Sequence, residues 1–566
     1  MATIWDAIVV GAGAGGAAAA WRLTQHGLKV LVLEAGPWFD PARDYGLDRP
    51  DWEQHPFPSK PGSQGQYRYG PMQQLDPQWD DLRSWHHEVG RLVQAEHRAI
   101  RGGYSHVRGV GGSTLHYVGE AHRLHPAAMR MRSQHGVGAD WPFDYAELEP
   151  FYVEAERLVG VAGPEDAGAR WRSAPYPLPA HPLSQGSRTL VDAGRSLGQH
   201  WGANARAALS RPYDGRPPCN YCGACSRGCP RRDKGSVDQT FLRHARQSGR
   251  CEVRARCTVL ELCHSRPGQL DGVRYLDAHG RRITERARLV VLAAGAIETP
   301  RLLLLQRSRW APDGIGNAHG QVGRHFLETV YWYSAALHPE PQRSFAGLPA
   351  DAICWDFNRP DAIPGVVGGA RFFSATLDVG LQGPAAYATR LIEGWGAQHK
   401  QRLRQAFGHA LAVGAIGESL PHAGSFVDLD PDARDAHGLP LARIHSQVDD
   451  MTCRRLRFMA QTCRAVLRAA GCGPLLQEGG SYDDFASTHV MGTCRMGLTV
   501  QDSVTNDRSQ VHGWPNLLIC DASTFPSSGG GESPSLTIQA LALRAIDHFV
   551  QASNRSAGGV NDDKSG

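Results

Sequence analysis

Four cysteines crowd one short loop: Cys219, Cys222, Cys225 and Cys229, with Pro230 immediately after them. The spacing is C-x2-C-x2-C-x3-C-P, which reads as an iron–sulfur site. Four thiolates can also take zinc or pair as disulfides. Zinc usually draws two cysteine pairs from separate knuckles. Here all four share one loop, which fits a cluster better. In two-cluster proteins the fourth cysteine of such a run serves the other cluster. This chain has a single run, so either three thiolates hold a [3Fe–4S] cluster or all four hold [4Fe–4S].

A second chemistry opens the chain. Gly11-x-Gly13-x-x-Gly16 follows the apolar run AIVV and precedes AAAAWRLTQH, a helix former with an apolar face. Gly11 permits a tight turn, Gly13 lets the backbone approach a pyrophosphate, and Gly16 allows close helix–strand packing. The helix N-terminus favours the negative charge. Glu34 ends the next buried strand, LKVLVLEAG, where a carboxylate can bind ribose hydroxyls. The motif alone does not separate NAD from FAD.

Those residues need a scaffold, and 566 residues are too many for one ordinary core. We expect an α/β protein, with a Rossmann-like dinucleotide domain over 1–324 that includes a cysteine-rich loop at 211–233. An α+β substrate domain is expected over 325–484. Residues 485–552 return to the first domain, and 553–566 form a disordered tail low in apolar residues. Residues 37–90 read as irregular insertion. Residues 145–160 read as an amphipathic helix, and 251–264 and 272–292 as strands. The net charge of +4 is small and interspersed, with no basic stripe for nucleic acid. The longest apolar runs, such as 289–297, are too short to cross a bilayer. The N-terminus lacks a basic n-region. Apart from the quartet, the thirteen cysteines are scattered, as reduced buried thiols are. This favours the cytoplasm, or the periplasm by co-export with a signal-bearing partner subunit.

Three stretches together, GVGGSTLHYVGE (109–120), HVMGTCRMG (489–497) and LLICDASTFPSSGGGESPSLTIQALALRAID (517–547), resemble the glucose–methanol–choline (GMC) oxidoreductase family. The resemblance runs from residue 6 to about 550 and is weakest over 330–480. DWPFDYAELEPFY (140–152) and SRPYDGRPPC (210–219) narrow it to the catalytic subunits of bacterial FAD- and iron–sulfur-dependent sugar dehydrogenases, of the glucose, gluconate and fructose dehydrogenase type. It implies FAD as the cofactor and His489 as the base that takes the substrate hydroxyl proton. The family's second active-site group is a His or Asn just before Pro-x-x-Thr. Ser533 holds that place here, a departure that puts the usual pair in doubt. Glu532 beside it reads as a solvated loop carboxylate. The resemblance adds Gly112, Ser113, His116, Val259, Asp521 and Ala522 as FAD contacts. Some relatives link FAD covalently through a histidine at the place of His116, and others keep the histidine without the bond. Three cysteines of the resembling dehydrogenases bind [3Fe–4S] at positions matching Cys219, Cys225 and Cys229, and Cys222 is extra.

The implied function is a dehydrogenase that oxidises a hydroxyl group of a sugar, glycoside or other alcohol. Electrons would pass through the cluster to a cytochrome, a small subunit or a quinone. Two other readings compete: a flavin oxidase that makes peroxide and uses its cysteines structurally, and a lyase or binding protein on the same fold.

Overall fold

The computed structural model of the chain describes residues 4–48, 56, 57, 59–165 and 170–558. Two sheets carry the fold. In the first, Ile4–Val10 pairs in parallel with Val30–Leu33 on one side and Arg282–Leu292 on the other. Cys251–Arg254 extends the sheet beyond Val30–Leu33, and Leu517–Ile519 pairs in parallel with the end of Arg282–Leu292. The antiparallel strands Gly272–Leu276 and Thr258–Cys263 complete its seven strands. Val30–Leu33 is apolar at every position and buried at every position, as a parallel strand covered on both faces must be.

Helix Ala14–Gln25 follows the first strand, and its small residues Ala17, Ala18, Ala19 and Ala20 are fully buried. They let the long helix Ser535–Gly558 pack against it. Arg22 clasps the two helices, its Nε donating to Asp547 Oδ1 at 2.6 Å. The last helix takes up residues 553–558 of the predicted disordered tail, which corrects that expectation. No proline interrupts the run, and Ser553 Oγ donates to Phe549 O at 2.9 Å along it. Residues 559–566 lie outside the described residues.

The second sheet is antiparallel and has eight strands, with Val330–Leu337 and Ala410–Gly417 at its centre. Ala370–Ser374 and Ala352–Cys354 follow on one side, and Leu475–Gly480 lies on the other. Its edges are finished by Trp85–His86 and Gly90–Arg91 at one end and Trp201–Ala203 at the other. The sheet therefore does not come from 325–484 alone. Edge strands expose unpaired N–H and C=O groups, and segments from before residue 325 extend the sheet at both ends.

Helix Asp450–Ala469 covers this sheet. Asp449 caps it, accepting from the Thr452 N–H at 2.8 Å. Leu456, Met459, Cys463, Val466 and Leu467 recur at helical spacing and form its buried face. Leu456 is fully buried in the core beneath the sheet. Leu456→Ala is expected to cost about 3 kcal/mol through the lost transfer energy and the cavity left behind. Thermal unfolding by calorimetry should show a clear drop in melting temperature. An unchanged transition would mean that this face is not packed as described.

Candidate functional site

A cavity of about 780 Å³ runs from the glycine-rich turn into the space between the two sheets. Gly11, Gly13, Glu34, Gly112, Ser113, His116, Val259, His489, Asp521, Ala522 and Ser533 all line it. Gly16 does not. It stands behind the wall, where an added Cβ would lie 2.0 Å from the Gly11 carbonyl oxygen. Gly13 and Gly112 face each other across the cavity floor, and a Cβ on Gly112 would come within 2.7 Å of Gly13 Cα.

Glu34 organises the turn. Its Oε2 accepts from the Ala12 N–H at 2.9 Å, and its Oε1 from the N–H groups of Gly36 and Gly109 at 2.8 and 3.1 Å. Burial raises its pKa and these bonds oppose the rise. Asp521 acts similarly from the other side. Its Oδ2 accepts from the Gly295 N–H at 3.0 Å and from Thr299 Oγ1 at 2.6 Å, and its Oδ1 from the Ser523 N–H at 2.9 Å. The N-termini of helices Ala14–Gln25 and Gly295–Leu305 thus meet at one cavity lined by bare glycine backbone. That arrangement fits the pyrophosphate of FAD.

Towards the second sheet the lining gains titratable groups. His489 is walled in by protein but open to the cavity, and burial pulls its pKa down to about 4, with the nearby Arg371 charge adding to the effect. The imidazole is neutral at ordinary pH, rather than titrating near neutrality. His116 is pulled down to about 3 by burial and by Lys234.

Behind Ser533 stands a buried polar network. Ser533 Oγ donates to Glu120 Oε2 at 2.8 Å. Arg371 binds the same carboxylate in bidentate fashion, Nη1 to Oε1 at 2.8 Å and Nη2 to Oε2 at 2.6 Å. Its Nε donates to the Gly531 carbonyl at 2.6 Å. Asn204 Nδ2 donates to Glu120 Oε1 at 3.0 Å, and Asn204 Oδ1 meets His122 Nε2 at 2.9 Å. The Ser533 N–H closes the ring on His122 Nδ1 at 3.1 Å. Burial alone would raise the Glu120 pKa, but the charge of Arg371 and the bond from Ser533 hold it well below the usual carboxylate range.

Sequence reasoning did not find this network as a site. Glu120 ends the GVGGSTLHYVGE stretch and so lay in view. Arg371 and Asn204 lie in segments with no readable spacing. Asp378 also faces the cavity, pushed up to about 7 by burial and by the Glu120 charge. Glu532 corrects an expectation. It is not solvated but 2% exposed, with Oε1 accepting from Arg170 Nη2 at 2.8 Å and from the His125 N–H at 3.0 Å. The loop turns inward here because Gly529, Gly530 and Gly531 leave no side chains to hold it off.

The cysteine loop packs beside the cavity. Lys234, buried beneath it, donates to the carbonyls of Leu115, Tyr117 and Cys225 at 2.9, 3.0 and 2.8 Å. Ser226 lines the cavity itself. Cys219, Cys222, Cys225 and Cys229 are half-buried. Burial pushes the Cys225 thiol up to about 12, and it raises Cys229 as well. Among the described residues no three of these sulfurs lie within 4.8 Å of one another.

Comparisons with known proteins agree with this geometry. The family models described as GMC oxidoreductase match residues 104–329 and 421–542, and an NAD(P)-binding Rossmann-like domain matches 9–39. A 2-methyl-1,2-propanediol dehydrogenase of Mycolicibacterium austroafricanum is 30% identical over 565 residues, covering 96% of this chain and 95% of that one. The fructose dehydrogenase large subunit of Gluconobacter japonicus is 27% identical, covering 96% and 97%. Among solved structures, pyridoxine 4-oxidase from Mesorbium loti shares the fold with a TM-score of 0.61 and 18% identity, covering 97% of this chain and 99% of that one. With both family segments matched and one relative similar along nearly its whole length, this chain belongs to the GMC oxidoreductase family and is an enzyme.

Proposed function

We propose that this enzyme is an FAD-dependent dehydrogenase that oxidises a carbinol of an alcohol or sugar to the carbonyl. One observation carries the reading. A neutral, half-buried His489 faces the same cavity as the glycine-lined cradle, and Ser533 lines that cavity too. FAD would be held along that cradle by Gly13, Gly112, Glu34 and Asp521, and would supply the hydride acceptor. The remaining work falls to the protein. The bare ring nitrogen of His489 takes the hydroxyl proton as hydride leaves the same carbon. The polar groups around the cavity are fixed by the fold, so the developing charge would meet preorganised dipoles. The relatives named as propanediol and fructose dehydrogenases support a hydroxylated substrate.

His489→Ala should slow flavin reduction by substrate by about 10²–10⁴-fold while FAD stays bound. Only the neutral imidazole is a base, and its pKa is pulled down to about 4. The reductive rate should therefore hold across neutral and mildly acidic pH and fall as pH drops through about 4. Anaerobic stopped-flow reduction measures both. A variant within a few-fold of wild type would make His489 structural.

The electron exit is part of the same proposal. Cys219, Cys222, Cys225 and Cys229 would hold an iron–sulfur cluster, which would pass the electrons to an external acceptor, protein or quinone. What supports this is placement: Lys234 ties that loop to the His116 segment, and Ser226 touches the cavity. Anaerobically purified protein should contain iron and acid-labile sulfide. Cys225→Ser should lose both, still let substrate bleach the flavin, and fail to reduce a cytochrome or quinone analogue. Iron-free protein that keeps full acceptor activity would make the loop structural, and peroxide release would then favour an oxidase.

A further inference from the structure

The hydrogen bonds behind Ser533 admit a single set of proton positions. Glu120 is ionised, and an ionised carboxylate only accepts. Ser533 Oγ must therefore spend its proton on Glu120 Oε2. The Ser533 N–H must donate, so His122 Nδ1 is bare and Nε2 carries the proton to Asn204 Oδ1. Asn204 Nδ2 then donates to Glu120 Oε1. With two bonds from Arg371 added, Glu120 receives four donors, about the capacity of a carboxylate. It has nothing left for a substrate. Arg371 keeps two uncommitted N–H donors, and the network's remaining acceptor capacity is the lone pairs of Ser533 Oγ, on a residue that lines the cavity.

Those lone pairs need a donor. The reacting hydroxyl has one proton, and His489 takes it. Its oxygen then faces Ser533 with lone pairs against lone pairs. We propose that Glu120 and Arg371 are positioning residues that make Ser533 an obligate hydrogen-bond acceptor, and that Ser533 selects substrates bearing a second hydroxyl next to the carbinol that is oxidised. The substrate class is a vicinal diol or a sugar, in preference to a monohydric alcohol. An ammonium donor is disfavoured by the Arg371 guanidinium alongside. This inference rests on the proposed role of His489.

The test compares 1,2-propanediol with 1-propanol on the FAD-loaded enzyme, together with equilibrium binding of hydroxyacetone against acetone by titration calorimetry. Loss of one buried hydrogen bond is worth about tenfold. The wild type should prefer the diol by about tenfold or more in kcat/KM, and hydroxyacetone should bind correspondingly tighter. Ser533→Ala should bring both ratios near unity. Ser533→Thr, which keeps the hydroxyl, should retain the preference. In Glu120→Gln the amide can donate to Ser533 Oγ and turn its proton towards the cavity, so the preference should disappear there too. If that variant does not fold, the Ser533 pair decides alone. Equal ratios in wild type, or ratios unchanged in Ser533→Ala, overturn the inference. If no alcohol reduces the flavin yet hydroxyacetone still binds tighter through Ser533, the His489 reading fails and the acceptor role stands. If neither occurs, both fail.

Discussion

A buried ion pair sets the geometry of the catalytic end. Glu120 and Arg371 are 6% and 1% exposed, and together they join a loop of the dinucleotide-binding half to a strand of the second sheet. Taking two such charges out of water is costly, and only good geometry with further hydrogen bonds repays it. Here the repayment is complete at the carboxylate, through the bidentate guanidinium, Asn204 and Ser533. The guanidinium's third contact, to the Gly531 carbonyl, holds the loop that presents Ser533. Removing either charge would leave the other buried and unpaired, so this junction tolerates little variation.

The same dryness governs the histidines. His116, His122 and His489 are all pulled below their ordinary value of 6.5, with burial the largest cause for each. Burial in the protein keeps these rings neutral, as the proposed base and a fixed acceptor require. Lys234 is the counterexample that clarifies the rule. Burial lowers its pKa as well, but three backbone carbonyls receive its ammonium, so the charge is solvated by the chain itself.

Much of the dinucleotide half was legible in the sequence because its signals are local. The Gly11-x-Gly13-x-x-Gly16 turn, the buried strand Val30–Leu33 and the carboxylate Glu34 follow one another within a single strand–helix–strand unit. His489 was legible through its motif. Arg371 was not, because its partner lies about 250 residues away and no spacing records that meeting. Glu532 was misread for a related reason. A carboxylate in a glycine-rich loop resembles a solvated one until Arg170, from a distant segment, is seen against it. The edge strands of the second sheet were hidden in the same way, since two-residue strands carry no periodicity.

The first sheet has a consequence for how the polypeptide is made. Ile4–Val10 pairs with Arg282–Leu292 from the middle of the sequence, but Leu517–Ile519, which also pairs with Arg282–Leu292, is made only after more than two hundred further residues. Helix Ser535–Gly558, which packs on Ala14–Gln25, arrives later still. Until then the nascent chain carries an open strand edge and an uncovered apolar helix face, both invitations to misassembly. Asp521, which ties down the start of helix Gly295–Leu305, sits in the same late stretch. The cavity is therefore complete only once the strand Leu517–Ile519 and the residues after it have joined the first sheet.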